Sequence, residues 1–298
     1  MSTDSYLLAG KDKELERLQR GSRMLEPAGR RLLAEIGDGQ GARALDVGCG
    51  ALGWVRPLSE WVGPDGQVIG TDIQDDMLTA AQQFVTTEGL GNVTLVNDDL
   101  FASQLEPASF DLVHARALIF PLGRGPEQMA THLRLVRPGG TIVLEEVDSA
   151  SLHHLPPAPA FDRLKPLVIE AFRRAGGDPE AAATQLELFR SAGIEANVRA
   201  EIRPLSLGDP ALQEPLQYLS ALDGLLRSLV DPEELERLRA EAERELQDPA
   251  AGDSTSHWCR SGASVGPRTS AWRERAERGR PATPGWPTSQ ARPGSRSP

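Results

Sequence analysis

Between Arg43 and Gly53 the chain reads RALDVGCGALG, and this stretch narrows the possible folds more than any other. Ala44, Leu45 and Val47 are apolar enough for a short buried strand. Gly48, Gly50 and Gly53 follow at once, where a strand has to turn sharply into a helix. Glycine lacks a Cβ, so the backbone there can take positive φ and a ligand can approach closely. A strand, a glycine turn and a helix are the opening unit of a doubly wound α/β sheet.

Gly48-Cys49-Gly50-Ala51-Leu52-Gly53 is literally a GxGxxG, and Asp72 follows at about the 20-residue distance a dinucleotide fingerprint expects. In such a site the pyrophosphate rests on the glycine turn and the helix N-terminus. Asp46, two residues before the first glycine, would repel that double negative charge. It would attract an ammonium or a sulfonium. The ligand expected is therefore cationic at this end and carries a ribose for Asp72, a description S-adenosylmethionine meets. An NAD(P)-dependent oxidoreductase on the same glycines, or a non-catalytic relic that only binds cofactor, are the other readings.

With these residues the chain resembles the class I S-adenosylmethionine-dependent methyltransferases. The matching pieces are LDVGCG at Leu45–Gly50, VIGTD at Val68–Asp72, NDDL at Asn97–Leu100, FDLVHA at Phe110–Ala115 and RPGG at Arg137–Gly140, in the family's order. They span roughly Leu25 to Arg203. One departure is that the family's third glycine falls where Leu52 stands, and here Gly53 comes one place later. The resemblance implies a Rossmann-like, mostly parallel seven-stranded sheet, S-adenosylmethionine as cofactor, and methyl transfer to an oxygen or nitrogen of a small molecule such as a secondary metabolite. It implies cofactor contacts at Asp46, Gly48, Cys49, Gly50, Asp72, Ile73, Asp98, Asp99, Leu100 and His114. In that set Asp72 holds the ribose, Ile73 touches the adenine face, and Asp98 or Asp99 accepts from the adenine amino group.

The net charge of −11 argues against a nucleic-acid partner. Residues 250–298 hold eight Arg against three acidic residues, a surplus of five positive charges, which leaves −16 on residues 1–249. Cys49 and Cys259 make no disulfide framework. Neither a membrane-length apolar run nor a signal-peptide pattern is present, so a cytoplasmic setting without membrane association is expected, with the protein a monomer or homodimer.

Three domains are expected: an N-terminal helical cap over 1–40, the Rossmann-like domain over 41–249, and a tail over 250–298. The cap reads as two helices, Lys11–Arg20 and Pro27–Ile36, with Tyr6 ahead of them as a pocket candidate. Within the body, Trp54 and Trp61 belong to a core-facing helical stripe, and the alternative reading of Asp72 is a cap for the following helix.

Four residues are candidates for the chemistry itself. His114 ends the fourth strand and could serve as a general base or as a hydrogen-bonded structural residue. Arg116 could anchor an acidic substrate or pair with an internal acid. Strand five, Thr141–Val147, ends in Glu145, Glu146 and Asp148, with alternation placing Glu145 and Glu146 on opposite faces. Of these acids Glu146 is the one nominated to meet substrate. His153 lies in a segment, Ser149–Pro159, read as a loop across the pocket mouth. No metal site is expected, since two histidines without partners at ligand spacing do not make one.

A helical insertion at about 205–247 could form a lid. Beyond Asp248 the aliphatic pattern stops, and Arg, Pro, Ser and Gly dominate. Such a segment cannot offset its ordering entropy, so the tail is expected to be disordered. That would leave the sheet without its last strand, as after a reading-frame change in the coding sequence. An ordered strand within 250–270 is the observation that would refute this.

Overall fold

The computed structural model describes residues 12–154, 157–205, 214–247 and 254–264, all within a compact unit spanning 1–265. Its centre is a seven-stranded sheet in the order β3-β2-β1-β4-β5-β7-β6. The strands are β1 (Arg43–Val47), β2 (Gln67–Asp72), β3 (Val93–Asn97), β4 (Phe110–Arg116), β5 (Val136–His154), β6 (Asn197–Leu205) and β7 (Ser254–Ser264). The first five pair in parallel, and their crossover helices include α2 (Val55–Val62), α3 (Asp75–Thr87) and α5 (Gly125–Leu135). A short α4 (Ile119–Leu122) follows β4.

Period-two alternation divides the core. Ala44, Leu112 and Val143 face α2 and α1 (Asp12–Ile36), where Leu33, Trp54, Leu58 and Val62 cover them. Leu45, Val113, Ile142 and Leu144 face the other way, against Met129 of α5 and Leu188 and Phe189 of α7 (Ala181–Ser191). A separate helical core joins α6 (Pro159–Arg174), α8 (Glu214–Ala221), α9 (Asp223–Leu226) and α10 (Pro232–Gln247) around Phe161, Phe172, Leu222 and Leu238.

Three expectations are corrected. The N-terminal helices are one, α1, which continues through Pro27. Proline removes one ladder bond, and burial of Leu25, Ala28 and Leu33 along the same face outweighs it. Ser149–His154 is not loop but the far end of β5, where, past a register shift, His153 and His154 stand opposite Thr255 and Ser254 of β7. The sheet also has its closing strand: β7 runs antiparallel between β5 and β6, with Glu145 opposite Arg260 and Glu201 opposite Trp258. A strand flanked on both sides satisfies its N–H and C=O groups through backbone ladders alone, so it needs no alternating apolar pattern. Residues 254–264 therefore supply the strand that the sequence pattern does not show, and the reading-frame argument loses its premise. The expected disorder at 265–298, and Tyr6, lie outside the described residues.

Candidate functional site

The carboxyl ends of β1, β2, β3 and β4 meet on one side of the sheet, and the glycine turn sits above them. Gly48, Gly50 and Gly53 have φ of 61°, 53° and 44°, the left-handed conformation glycine adopts without strain. Added side chains would find no room: a Cβ on Gly48 would press on Leu118, and one on Gly53 would collide with Asp46 Oδ2. The Cys49 thiol points inward toward Val55 and Val85, and burial, then the charges of Asp46 and Asp72, push its pKa well up. Only its backbone belongs to the turn.

Asp72, at the end of β2, accepts from the Gly50 N–H at 2.9 Å and from the Gln74 N–H at 3.0 Å. It is half-buried, and desolvation raises its pKa against those two donors. Each carboxylate oxygen can accept twice, so capacity for two hydroxyls is left. The ribose and helix-capping readings are thus compatible. Ile73 beside it is 39 % exposed, unusual for a large aliphatic residue in this protein. Asp98 and Asp99 accept from the Gln104 and Phe101 N–H groups at 2.9 and 2.8 Å, so both shape the turn after β3. The Leu100 carbonyl in that turn accepts from the Thr131 hydroxyl at 3.0 Å.

Asp46 is not at an open mouth. It is 1 % exposed; Oδ2 accepts from the Trp54 N–H at 2.6 Å and Oδ1 lies 2.7 Å from His114 Nδ1. His114 is fully buried and stacks on Trp54, with ring centroids 3.9 Å apart. Its burial lowers its pKa, but Asp46 and Glu145 outweigh this and leave it raised. Of the two expectations for His114, the structural one fits; with Nδ1 tied to Asp46 and no exposed surface, neither the general-base nor the cofactor-contact reading does. Arg116 likewise takes its internal partners, donating to Ser22 Oγ at 2.7 Å and lying 4.0 Å from Glu145 Oε2.

Glu145 and Glu146 face opposite ways, as alternation requires. Glu146 is buried beneath α4, and its Oε1 accepts from the Ile119 N–H at 2.7 Å. Burial pushes its pKa up to about 8, against the N–H groups of Ile119, Phe120 and Leu118. It holds the loop after β4 rather than facing an open acceptor site. The His153 side chain lies outside the described residues. Sequence reasoning placed Trp54 in a core-facing stripe and missed its polar bond: its Nε1–H donates to Glu145 Oε2 at 3.1 Å. A tryptophan directly after a glycine turn was the available signal. Ala117, with φ of 53°, bends the chain just after β4.

These residues fit S-adenosylmethionine: glycines whose Cβ positions are filled, an acceptor carboxylate at the end of β2 and an exposed aliphatic next to it. No cluster of three His, Cys, Asp or Glu able to hold a metal occurs among the described residues, and no helix among them is long and apolar enough to cross a membrane.

Comparison with known proteins agrees. A methyltransferase-domain family profile matches residues 44–140. The demethylmenaquinone methyltransferase of Geobacillus kaustophilus is 32 % identical over 193 residues, which cover 58 % of this chain and 78 % of that one. The nocamycin O-methyltransferase of Saccharothrix syringae is 32 % identical over 251 residues, 78 % of this chain and 87 % of its own length. Among solved structures, the BH2331 protein of Bacillus halodurans superposes with a TM-score of 0.54 at 16 % identity, over 80 % of this chain and all of that one. The YcgJ protein of Bacillus subtilis gives 0.51 at 14 % identity, over 79 % of this chain and 97 % of that one. The relatives and the site together place this chain among the class I S-adenosylmethionine-dependent methyltransferases.

Proposed function

We propose that the enzyme transfers a methyl group to an oxygen or nitrogen of a small molecule. The cofactor supplies an electrophilic methyl group on a sulfonium. Asp72 accepts from the ribose hydroxyls, Ile73 lies against the adenine, the Asp98–Asp99 turn borders the adenine amino group, and the glycine turn lets the backbone come close. Asp46 acts from beneath that turn, by fixing it. The reading that fits the committed partners of His114 and Arg116 is one in which rate comes from in-line alignment of nucleophile, methyl and sulfur.

The observation that carries this reading is the pairing of Asp72 with the Gly50 N–H, which fixes a free-sided carboxylate next to the exposed Ile73. An acceptor of small-molecule size is supported by the acidic body and by the 78 % of the chain aligned with an O-methyltransferase. The same reading gives α1 a capping role, makes the helical segment at 205–247 a lid, and puts the enzyme in the cytoplasm as a monomer or homodimer. The test is incubation with labelled S-adenosylmethionine and a panel of phenols, hydroxy acids and amines, with products located by mass. Methylated product supports the reading. Binding of NADH in place of S-adenosylhomocysteine, or binding without turnover on any acceptor, overturns it.

A further inference from the structure

Beneath the glycine turn four residues close a buried ring. Asp46 on β1 accepts from the Trp54 backbone N–H at 2.6 Å. The Trp54 indole donates to Glu145 on β5 at 3.1 Å. Glu145 Oε2 lies 3.5 Å from His114 Nε2 on β4, and His114 Nδ1 returns to Asp46 at 2.7 Å. Strand register builds it: Asp46 stands opposite His114, and Arg116 opposite Glu145. Helix α1 seals it, since Gly29 packs so closely on the indole that a Cβ there would approach to 3.0 Å, and Ser22 receives Arg116. Two carboxylates, Asp46 and Glu145, face the Arg116 guanidinium and the His114 ring, and an imidazolium at His114 matches the charges two against two.

We propose that His114 and Trp54 are positioning residues for S-adenosylmethionine: with Asp46 and Glu145 they form a charge-balanced ring that sets the shape of the glycine turn and hence cofactor affinity. This rests on the methyltransferase reading. The link to the ligand is short. Asp46 Oδ2 fixes the residue just after Gly53, and Gly53 itself has no room for a side chain against that oxygen. The ring holds its shape while His114 is an imidazolium. The groups that bear on that proton are Asp46 from β1, Glu145 from β5, Arg116 from its own strand and His132 from α5, whose own pKa is depressed by burial and then by the charge of His114.

The experiment is calorimetric binding of S-adenosylhomocysteine to the full chain, over about pH 6 to 9, the range in which histidine charge changes. Wild type is measured first, and its failure to bind would strike the cofactor assignment rather than the ring. H114L removes the donor to Asp46 and should weaken binding by about tenfold or more, the scale of a lost charge-assisted hydrogen bond. H114N keeps a donor near Asp46 but carries no charge, and should recover only part of that loss. Wild-type affinity should decline as pH rises and the imidazolium loses its proton, whereas H114N should show no such decline. W54F keeps the backbone N–H and the stacked ring but loses the bond to Glu145, and should bind severalfold more weakly. A merely structural histidine would lower the melting temperature and leave affinity and its pH profile alone. Folded H114L with wild-type affinity, or one pH profile shared by wild type and H114N, overturns the proposal. Should H114L not fold, the wild-type and H114N profiles and W54F decide it.

Discussion

Glu146 gives the sharpest stability test, because its environment is asymmetric. Its Oε1 accepts from the Ile119 N–H at 2.7 Å, while Oε2 is buried without a hydrogen-bond partner. Burial raises its pKa from an ordinary 4.5 to about 8, with the charge of Asp178 adding a little and three backbone N–H groups opposing. The folded state therefore keeps a proton that the unfolded chain releases, and the stability this provides is full below about pH 4.5 and lost as pH rises through about 8. At ~1.4 kcal/mol per pKa unit, the loss between pH 5 and pH 8.5 is about 4 kcal/mol. E146Q keeps the side-chain volume and the oxygen facing Ile119, but cannot ionise. Urea unfolding followed by tryptophan fluorescence should show the two proteins within about 1 kcal/mol of each other at pH 5. At pH 8.5 the variant should be the more stable by about 4 kcal/mol. If both lose the same stability across that range, the carboxyl is not held protonated by burial and the reasoning is wrong.

His132 should behave with the opposite sign. Burial lowers its pKa from 6.5 to about 4, so the stability it provides is present above 6.5 and lost as pH falls through 4. H132L should remove about 3 kcal/mol of acid sensitivity in the same unfolding assay. D72A should weaken S-adenosylhomocysteine binding on the order of a hundredfold, since it removes both the ribose acceptor and the support for the Gly50 N–H; unchanged calorimetric affinity would displace Asp72 from the site. G53A forces a Cβ onto Asp46 Oδ2 at φ 44°, which should cost about 2 kcal/mol of stability and reduce affinity as well. A117G should instead stabilise by about 1 kcal/mol in thermal unfolding, since φ of 53° strains alanine and not glycine.

The glycine turn, the existence of the first five strands and the alternation of Glu145 and Glu146 were all legible, because each follows from a local pattern: apolar runs, missing side chains, period two. Asp72 was legible for the same reason, being the last residue of its strand. The destination of Asp46 was not. Its position before the first glycine is local, but its partners lie on β4 and on the residue before α2, and only the strand register brings them together. The partners of His114 and Arg116, Asp46 and Ser22, are likewise remote in sequence, and only the fold brings them together. The closing strand escaped notice because reading strands from apolar alternation finds those that bury side chains. One held by backbone bonds on both flanks leaves little trace in the sequence.

The late arrival of β7 has a consequence for synthesis. On the ribosome β5 and β6 are complete long before residues 254–264 emerge, so a nearly finished chain carries bare donors and acceptors along β5, with β6 still unattached. Such borders recruit strands from neighbouring polypeptides. Yield at high expression should therefore be governed by how quickly residues 254–264 appear and dock, and chaperone shielding of that border should raise it.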